Sequence, residues 1–268
     1  MRLLLTDGQF RLLWSGGALT VTGHVMYGMV HGWLTLTLTD SPFWVGAVAG
    51  TMGIGLLTFS ILGGLVADRF QRRFVVAISE LVMVLRSILL AVLVLSGRVE
   101  VWHLMATAFV TGAAEAVRLP SMMALNIDLV ERKKLLTATA SNFAAFGAAG
   151  IMGPLLAGAI LARFDIGWAY VAMIAFHFFS AVIVLRLDVT PAVNDGEVAL
   201  LASSPWRSIW EVAVYVFNTP WVRMLLVMQL VGEAFGWAHQ PMLPVIARDV
   251  LGVGAQGLGY MISVSHVG

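Results

Sequence analysis

Cysteine is absent from this chain of 268 residues, and charged side chains are scarce. Without cysteine there are no disulfides and no thiolate metal sites. Charged residues make up 12% of the chain, against roughly 25% in soluble domains, while apolar residues make up 59% and the mean hydropathy is +0.89. This composition excludes an ordinary soluble protein. The net charge of +1 also gives no electrostatic basis for binding nucleic acid.

The sequence instead contains long runs without any charged residue. Four of them cover residues 12–39, 41–67, 135–162 and 166–185, and each is longer than the roughly 18 residues that indicate a membrane span. A helix of about 20 residues crosses the hydrocarbon layer with every backbone group paired inside itself. We therefore predict an all-α integral membrane protein with an eighth span that begins near Gly257. The first seven spans are predicted at about 12–38, 43–67, 74–96, 101–124, 137–162, 166–186 and 219–244.

Basic residues are distributed unequally between the two sides of the predicted bundle. Ten lie in or beside short loops on the side of the N-terminus, and three lie on the opposite side. Such an excess marks the cytoplasmic side. We therefore predict a multi-pass protein of the inner (plasma) membrane whose N-terminus and 187–217 stretch are cytoplasmic. The N-terminus offers no small-residue cleavage site, so the first span is predicted to remain as an anchor.

Three regions follow from this pattern. Residues 1–186 are predicted to form an N-terminal bundle of six transmembrane helices, 187–217 a cytoplasmic linker with an interfacial amphipathic helix, and 218–268 the start of a second bundle. The linker helix is indicated by Ser204, a suitable N-cap before Pro205, and by apolar residues at helical spacing on one face. A shift of 213 residues also pairs Gly46 with Gly259, as in transporters built from duplicated bundles.

A cluster of charge, GGLVADRFQRR, separates the second and third predicted spans. Asp68 is adjacent to Arg69 and one helical turn before Arg72, so a local ion pair is sterically available. Positive-inside anchoring alone explains Arg73. The stretch resembles the signature between the second and third helices of the major facilitator superfamily, Gly-x-Leu-Ala-Asp-Arg-x-Gly-Arg-Arg/Lys. The matching positions are Gly64, Ala67, Asp68, Arg69, Arg72 and Arg73, whereas Val66 replaces Leu and Gln71 replaces Gly.

This resemblance covers nearly the whole chain and implies the fold of that superfamily. The chain is expected to hold the N-terminal six-helix bundle plus the first one and a half helices of the second bundle, and hence to be C-terminally incomplete. Its later segments resemble the bacterial branch that exports siderophores such as enterobactin, and macrolides. In the superfamily an acid of the fourth helix often joins the charged hairpin, a place that Glu115 can fill. The implied cytoplasmic gating residues are Gly64, Asp68, Arg69, Arg72 and Arg73.

Small residues form two neighbouring stripes on the fifth predicted span. One stripe contains Ala149, Gly153 and Ala157, and the other contains Gly150, Pro154 and Gly158. Such stripes permit close helix packing and proline loosens a helix locally, so packing alone explains them. Gly153-Pro154 followed by Ala157-Gly158 also resembles the antiporter motif of exporters in the superfamily. That resemblance implies transport in the outward direction.

Charged residues inside the predicted spans cost at least about 2.5–3.5 kcal/mol each and are functional candidates. Glu80 and Arg118 are expected close to the cytoplasmic ends, where they can reach water. Arg86 lies near the middle of the membrane and needs a partner. Glu115 is an available acid, although Glu115 and Arg118 can also pair with each other at a spacing of three. The candidates for a charge network and for coupling are Glu80, Arg86, Glu115, Arg118 and Glu233.

Polar residues also recur on the two helices that the resemblance places at the central cavity. A buried histidine is more often a hydrogen-bonded structural group than a proton carrier. Glu233 lies among apolar residues, which disfavour its charged form, so we predict that it binds and releases a proton during transport. The candidate cavity-lining residues are His24, Tyr27 and His31 on the first span and Gln229 and Gln240 on the seventh.

Enzyme motifs are missing from the sequence, which has no HExxH, no GxxxxGK[ST] and no histidines at metal-ligand spacing. We therefore predict a non-enzymatic carrier that uses the proton gradient, without cofactor or metal, to export an amphipathic small molecule by alternating access. Its predicted partners are the substrate, the lipid bilayer and the missing C-terminal helices. Two alternatives stay open: a proton-coupled importer of the same superfamily, and a truncated membrane fragment that cannot transport.

Overall fold

The structure is a computed structural model that describes residues 7–188, 205–237 and 239–266. Two compact units can be distinguished by their internal contacts. The described residues within Met1–Thr190 and Pro241–Gly268 form the first unit, and those within Pro191–Gln240 form the second. Helices account for nearly all of the described residues, and none of these residues lies in a strand.

Six long helices follow one another in the first unit, as the charge-free runs predict. Local signals fix their ends: Asp7 accepts hydrogen bonds from the Gln9 and Phe10 amides at the start of the first helix, and Asp40 ends it in the left-handed conformation with φ of 50°. Pro42 occupies the first turn of the second helix, where its missing amide costs nothing. The helices are α1 (Gly8–Thr39), α2 (Pro42–Arg69), α3 (Arg72–Leu95), α4 (Val101–Leu129), α5 (Leu135–Leu161) and α6 (Ile166–Leu185).

Four helices of the described chain are long and apolar enough to cross a membrane: α2 over Pro42–Ala67, α3, α5 and α6. The other two, α1 and α4, are 32 and 29 residues long and carry many of the polar side chains of the bundle interior. All six pack into the same unit, with α2 against α4, α3 against α6, and α1 against α5 and α6. The prediction of a multi-pass all-helical membrane fold is therefore confirmed.

Glycine allows the backbones of α2 and α4 to touch. A methyl group added at Gly63 would overlap the Ala116 carbonyl, and one added at Gly112 would overlap the Met52 carbonyl. Contacts of this kind between helices need residues without a side chain. Gly64, the next residue along α2, faces open space instead.

The second unit contains the helices α7 (Pro205–Asn218) and α8 (Pro220–Val231), followed by a π-helical stretch, Gly232–Trp237. The predicted linker helix is thus present as α7, and Trp210 and Phe217 are each 71% exposed on it. The preceding stretch 189–204, which holds most of the predicted linker, lies outside the described residues.

The predicted seventh span, 219–244, is not one regular α-helix, which corrects the sequence prediction. After the π-helical stretch the chain turns at His239 and continues in short helical pieces, Gln240–Met242, Leu243–Val245 and Ile246–Val250. Pro241 and Pro244 explain the interruption, because a proline lacks the amide hydrogen and clashes with the carbonyl of the preceding turn. The first unit then ends in α9 (Ala255–Ser265), where the eighth span is predicted to begin.

Candidate functional site

A layer of buried charge lies inside the first unit. Glu80 on α3 is 0% exposed, and Arg118 on α4 is 6% exposed. The expectation that these two side chains reach water is therefore wrong. Glu80 contacts side chains of α1 and α6, and Arg118 pairs with Glu115 on α4. The members of the layer are Glu80, Arg86, Glu115, Arg118 and His177.

Glu80 is held by hydrogen-bonding groups from two other helices. Its Oε1 lies 2.8 Å from Oγ1 of Thr20 on α1, and its Oε2 lies 2.8 Å from Nδ1 of His177 on α6. Thr20 Oγ1 is also 2.7 Å from Oγ of Ser180, which donates to the Gly16 carbonyl over 3.0 Å. The carboxyl group of Glu80 therefore joins α3 to both α1 and α6.

Glu115 and Arg118 form a two-pronged ion pair within α4. Arg118 donates from Nε to Oε1 over 3.1 Å and from Nη2 to Oε2 over 2.7 Å, a geometry that is strong for a guanidinium and a carboxylate. His24 Nδ1 on α1 approaches Oε1 of Glu115 to 3.3 Å. The spacing of three thus selects one of the two pairings that the sequence leaves open, and Glu115 is not the close partner of Arg86.

Arg86 is stabilised mainly by neutral groups. It donates from Nη1 to Thr111 over 3.0 Å and from Nη2 to Ser87 over 3.1 Å. Its guanidinium carbon lies 3.8 Å from the centre of the Tyr27 ring, a cation–π contact. Within the described part of the chain, no carboxylate lies within 4.0 Å of Arg86, and its Nε has no hydrogen-bond partner.

His31 has both ring nitrogens satisfied, which defines its tautomer. Nε2 lies 3.1 Å from the Leu104 carbonyl and Nδ1 lies 3.1 Å from the Tyr170 hydroxyl. Because a carbonyl only accepts, Nε2 carries the hydrogen, and in the neutral ring Nδ1 accepts from Tyr170. Tyr27 stacks on His31, and the two are 2% and 4% exposed. The structure therefore places both inside the bundle instead of along an open cavity; His24 keeps 34% of its side chain exposed.

The charged hairpin makes contacts that differ from those implied by the resemblance. Arg72 Nη1 donates to Oδ1 of Asp128, at the end of α4, and Arg73 donates to the Leu187 carbonyl over 3.0 Å. Arg69 is exposed. The structure thus does not join Arg72 to Glu115. The side chain of Asp68 lies outside the described residues, so its pairing within the hairpin stays a prediction.

The two stripes of small residues on α5 face different neighbours. Gly153 faces α1, where an added methyl group would lie 3.1 Å from the Thr22 carbonyl. Gly150 faces the ring of His266, and Pro154 and Gly158 face α9. Ser263 on α9 also donates to the Ile151 carbonyl over 2.9 Å. The motif residues therefore form the surface on which α5 packs against α1 and α9.

The remaining candidates belong to the second unit. Gln229 is exposed on α8, Gln240 is half-buried at the end of the unit, and the side chain of Glu233 lies outside the described residues. Their place at a central cavity stays a prediction. In the described part of the chain, no group of three or more His, Asp or Glu side chains could hold a metal ion.

At the end of the bundle opposite the charged hairpin, Arg248 connects two segments of the first unit. It lies 2.7 Å from Asp40 and donates from Nε to Asp249 over 2.6 Å. The hydrogen bond from Arg248 lowers the pKa of the Asp249 carboxyl below its ordinary value, and the bond to Asp249 raises the pKa of Arg248. This ion group fixes the Ile246–Val250 stretch beside the end of α1.

Sequence analysis missed several polar residues of these contacts, among them Thr20, Asp128, His177 and Ser180. Thr20 lies one turn before His24 on α1, so helical spacing could have found it. His177 and Ser180 occur in a charge-free span that by composition is only a membrane helix. Asp128 follows the long apolar run of α4, where charge is expected in any case. Their roles depend on contacts between distant segments.

Charged side chains enclosed by long apolar helices are typical of ion or substrate pathways in membrane proteins. The chain matches the family described as "Transmembrane secretion effector" over residues 4–268, and it belongs to that family. Together with the structural likeness, this gives the chain the fold of the major facilitator superfamily. No curated protein matches the sequence with significance.

Two solved structures share the fold. A mutant of the nucleoside transporter NupG superposes with a TM-score of 0.76 at 14% identity, covering 97% of this chain and 65% of the other. A bacterial homolog of the human lysosomal transporter Spinster, inward-facing and unoccupied, superposes with a TM-score of 0.68 at 14% identity, covering 94% of this chain and 57% of the other. The chain therefore spans less than two thirds of the length of these structural relatives.

Proposed function

We propose that the chain belongs to a proton-driven carrier that exports an amphipathic small molecule of the drug or siderophore type by alternating access. The description of the family as a secretion effector supports the outward direction. The antiporter-like motif on α5, Gly153-Pro154, supports it as well. The enterobactin and macrolide exporters remain the branch that we propose from sequence resemblance.

The observation that carries the proposal is the buried charge layer of α3, α4 and α6. Charged side chains at membrane depth are costly and mark ion or substrate pathways. Here two acids and two arginines are enclosed by helices that must otherwise pack through apolar contacts. We therefore assign coupling to this layer, with Glu233 as the sequence-derived candidate in the second bundle.

Gating is assigned to the charged hairpin. Asp68, Arg69 and Arg72 act as a cytoplasmic latch, and Gly64 provides the open surface beside it on which a further helix can pack. The pair formed by Arg72 and Asp128 ties the hairpin to α4, which also carries Glu115 and Arg118. A movement of the latch would therefore be transmitted to the charge layer through one helix, α4.

The proposal also covers the location of the carrier and the organisation of its chain. The carrier lies in the inner membrane with the N-terminus and 187–217 in the cytoplasm, and its regions are 1–186, 187–217 and 218–268. We assign activity to a carrier that also contains further helices. The structural relatives have such helices beyond the region that this chain covers. The importer is the second candidate, since the name of one relative, a nucleoside transporter, does not specify a direction.

Transport into inside-out vesicles tests the function and its direction. Vesicles carrying the full-length carrier should accumulate a drug or siderophore probe when their interior is acidic, and a protonophore should abolish the accumulation. Asp68→Asn should remove it, whereas Glu131→Gln, in an exposed ion pair with Lys134, should leave it unchanged. Accumulation driven by an acidic exterior indicates the importer instead. A transport rate that Asp68→Asn leaves intact contradicts the latch.

A further inference from the structure

We propose that Glu80 is a reversible proton-binding site and that its protonated carboxyl begins a hydrogen-bond chain through Thr20 and Ser180 to the Gly16 carbonyl. The proposal rests on the proton coupling proposed above and names the group that carries the proton. Glu80 comes from α3, Thr20 and Gly16 from α1, and Ser180 from α6. Protonation of this one carboxyl group would therefore affect how three helices pack together.

Counting hydrogen atoms supports the site. Three oxygen–oxygen contacts join the four groups: 2.8 Å from Glu80 to Thr20, 2.7 Å from Thr20 to Ser180, and 3.0 Å from Ser180 to Gly16. Each contact at such a distance needs a hydrogen between the oxygens. The two hydroxyl groups supply two hydrogens, and the carbonyl supplies none. The third hydrogen must come from the carboxyl group of Glu80.

The protonated state satisfies every member of the chain in one direction. Glu80 donates to Thr20, Thr20 donates to Ser180, and Ser180 donates to the carbonyl of Gly16. The other carboxyl oxygen, Oε2, accepts from Nδ1 of His177 over 2.8 Å. In the ionised state Thr20 donates to Glu80, and the Thr20 and Ser180 oxygens then face each other at 2.7 Å unless Ser180 gives up Gly16.

Loss of the proton therefore changes the contact between α1 and α6. The smallest change that relieves the contact between the two oxygens is a separation of Thr20 from Ser180, or entry of a water molecule between them. Gly23, one turn further along α1, lies directly over the ring of His177: an added methyl group would be 2.9 Å from Nε2. That nitrogen has no hydrogen-bond partner in the described structure, so it gives α1 no polar attachment there. The packing of α1 is thus sensitive to one proton.

Charged groups around Glu80 balance the two states. Arg118 Nε lies 4.0 Å from Oε1 and favours the ionised form, but the guanidinium of Arg118 is already neutralised by Glu115. Arg86 lies in the same layer without a close carboxylate, and protonation of Glu80 leaves its charge less compensated. His24 contacts Glu115. Among the described residues, the ionisable side chain nearest to Glu80 is therefore His177, 2.8 Å from Oε2, and no arginine lies closer to Glu80 than 4.0 Å.

Infrared difference spectroscopy tests the site without any transported substrate. Spectra of the purified chain in detergent, taken between alkaline and acidic buffer, should show the carbonyl band of a buried carboxylic acid that exchanges slowly in D₂O. Glu80→Gln should remove that band, because glutamine copies the protonated shape and cannot titrate. Glu131→Gln, which removes an exposed acid far from the layer in sequence, is the control and should leave the band in place.

Ser180→Ala gives a second readout with a defined direction. Without Ser180, Thr20 can donate to the ionised carboxylate without conflict, so the band should appear only at lower pH. Since the loss concerns one hydrogen bond, the midpoint should move by up to about one pH unit. A band that survives Glu80→Gln, or a midpoint that stays in place or rises in Ser180→Ala, overturns the proposal.

Transport measurements separate this proposal from the function on which it rests. If the wild-type carrier transports without any response to a protonophore, proton coupling fails, whatever the infrared band shows. If the wild type is proton-coupled and Glu80→Gln keeps the same pH profile of transport, Glu80 is not the site. The expected result is that Glu80→Gln folds, binds the probe and loses the dependence on the proton gradient.

Discussion

At the residue scale, the chain contains two chemically similar ion pairs in different environments. Glu115 and Arg118 are spaced three residues apart and buried, whereas Glu131 and Lys134 have the same spacing at the surface. Burial raises the cost of leaving a charge unpaired, because the low-dielectric interior cannot replace the lost partner. The same spacing therefore has different consequences for stability.

Glu115→Gln should lower the free energy of unfolding substantially. Removing one partner of a buried pair typically costs about 3–5 kcal/mol, and the lower end applies because Glu80 lies 4.0 Å from Arg118. Glu131→Gln, the matched surface variant, should leave the unfolding midpoint unchanged. Thermal unfolding in detergent measures both; equal midpoints for the two variants would show that burial does not decide the cost.

Two buried tyrosines give a second comparison. Tyr170→Phe should destabilise the chain by about 1–3 kcal/mol, because Nδ1 of His31 loses its donor and stays buried. Tyr27→Phe should change the stability little, since the Tyr27 hydroxyl has no hydrogen-bond partner among the described residues and the ring keeps its contact with Arg86. Unfolding of the two variants in parallel checks this order; a larger loss for Tyr27→Phe would show that the Tyr27 hydroxyl makes a stabilising hydrogen bond.

At the element scale, helix contacts depend on where each glycine faces. Gly63 touches the α4 backbone, while its neighbour Gly64 faces open space. The sequence motif includes only Gly64, yet the structure gives the packing role to Gly63. We infer that the two glycines serve different purposes, one inside the bundle and one on its surface.

Gly63→Ala should destabilise the contact between α2 and α4 by about 1–3 kcal/mol, the usual cost of overpacking a close interface. Gly64→Ala should be neutral or slightly stabilising, because alanine favours a helix over glycine. Unfolding in detergent measures the difference. If Gly64→Ala retains stability but loses transport in the full-length carrier, Gly64 acts at the latch; a destabilised Gly64→Ala variant would contradict its open surroundings.

Sequence analysis predicted the helices well and the contacts between them poorly. Charge-free runs locate membrane helices because the bilayer fixes their length, and the Glu115–Arg118 pair was foreseen because it is local. The contacts between Arg72 and Asp128, Glu80 and His177, and Thr20 and Ser180 join positions 56, 97 and 160 residues apart. Such contacts follow from packing, which no periodicity encodes. The interruption of the 219–244 segment was missed because hydropathy takes no account of how proline breaks a helix.

At the scale of the whole molecule, α3 and α4 carry both the buried acids and the contact between Arg72 of the hairpin and Asp128. Arg72 begins α3, eight residues before Glu80, and its partner Asp128 ends α4, ten residues after Arg118. A shift of α3 along α4 would therefore act on the hairpin and on the buried acid together. On the proposed function, this arrangement would link proton binding at Glu80 to gating at the hairpin without a long chain of intermediate contacts.

Topology in the membrane gives the last prediction. Because the chain has no cysteine, a single introduced thiol reports its own location. Arg98→Cys, in the exposed turn between α3 and α4, should react with a membrane-impermeant maleimide added to intact cells, and Asp195→Cys should react only after permeabilisation. The reason is the excess of basic residues on the side of the hairpin, which translocation leaves in the cytoplasm. Labelling of position 195 from outside would invert the bundle and place the latch on the wrong face of the membrane for the proposed export cycle.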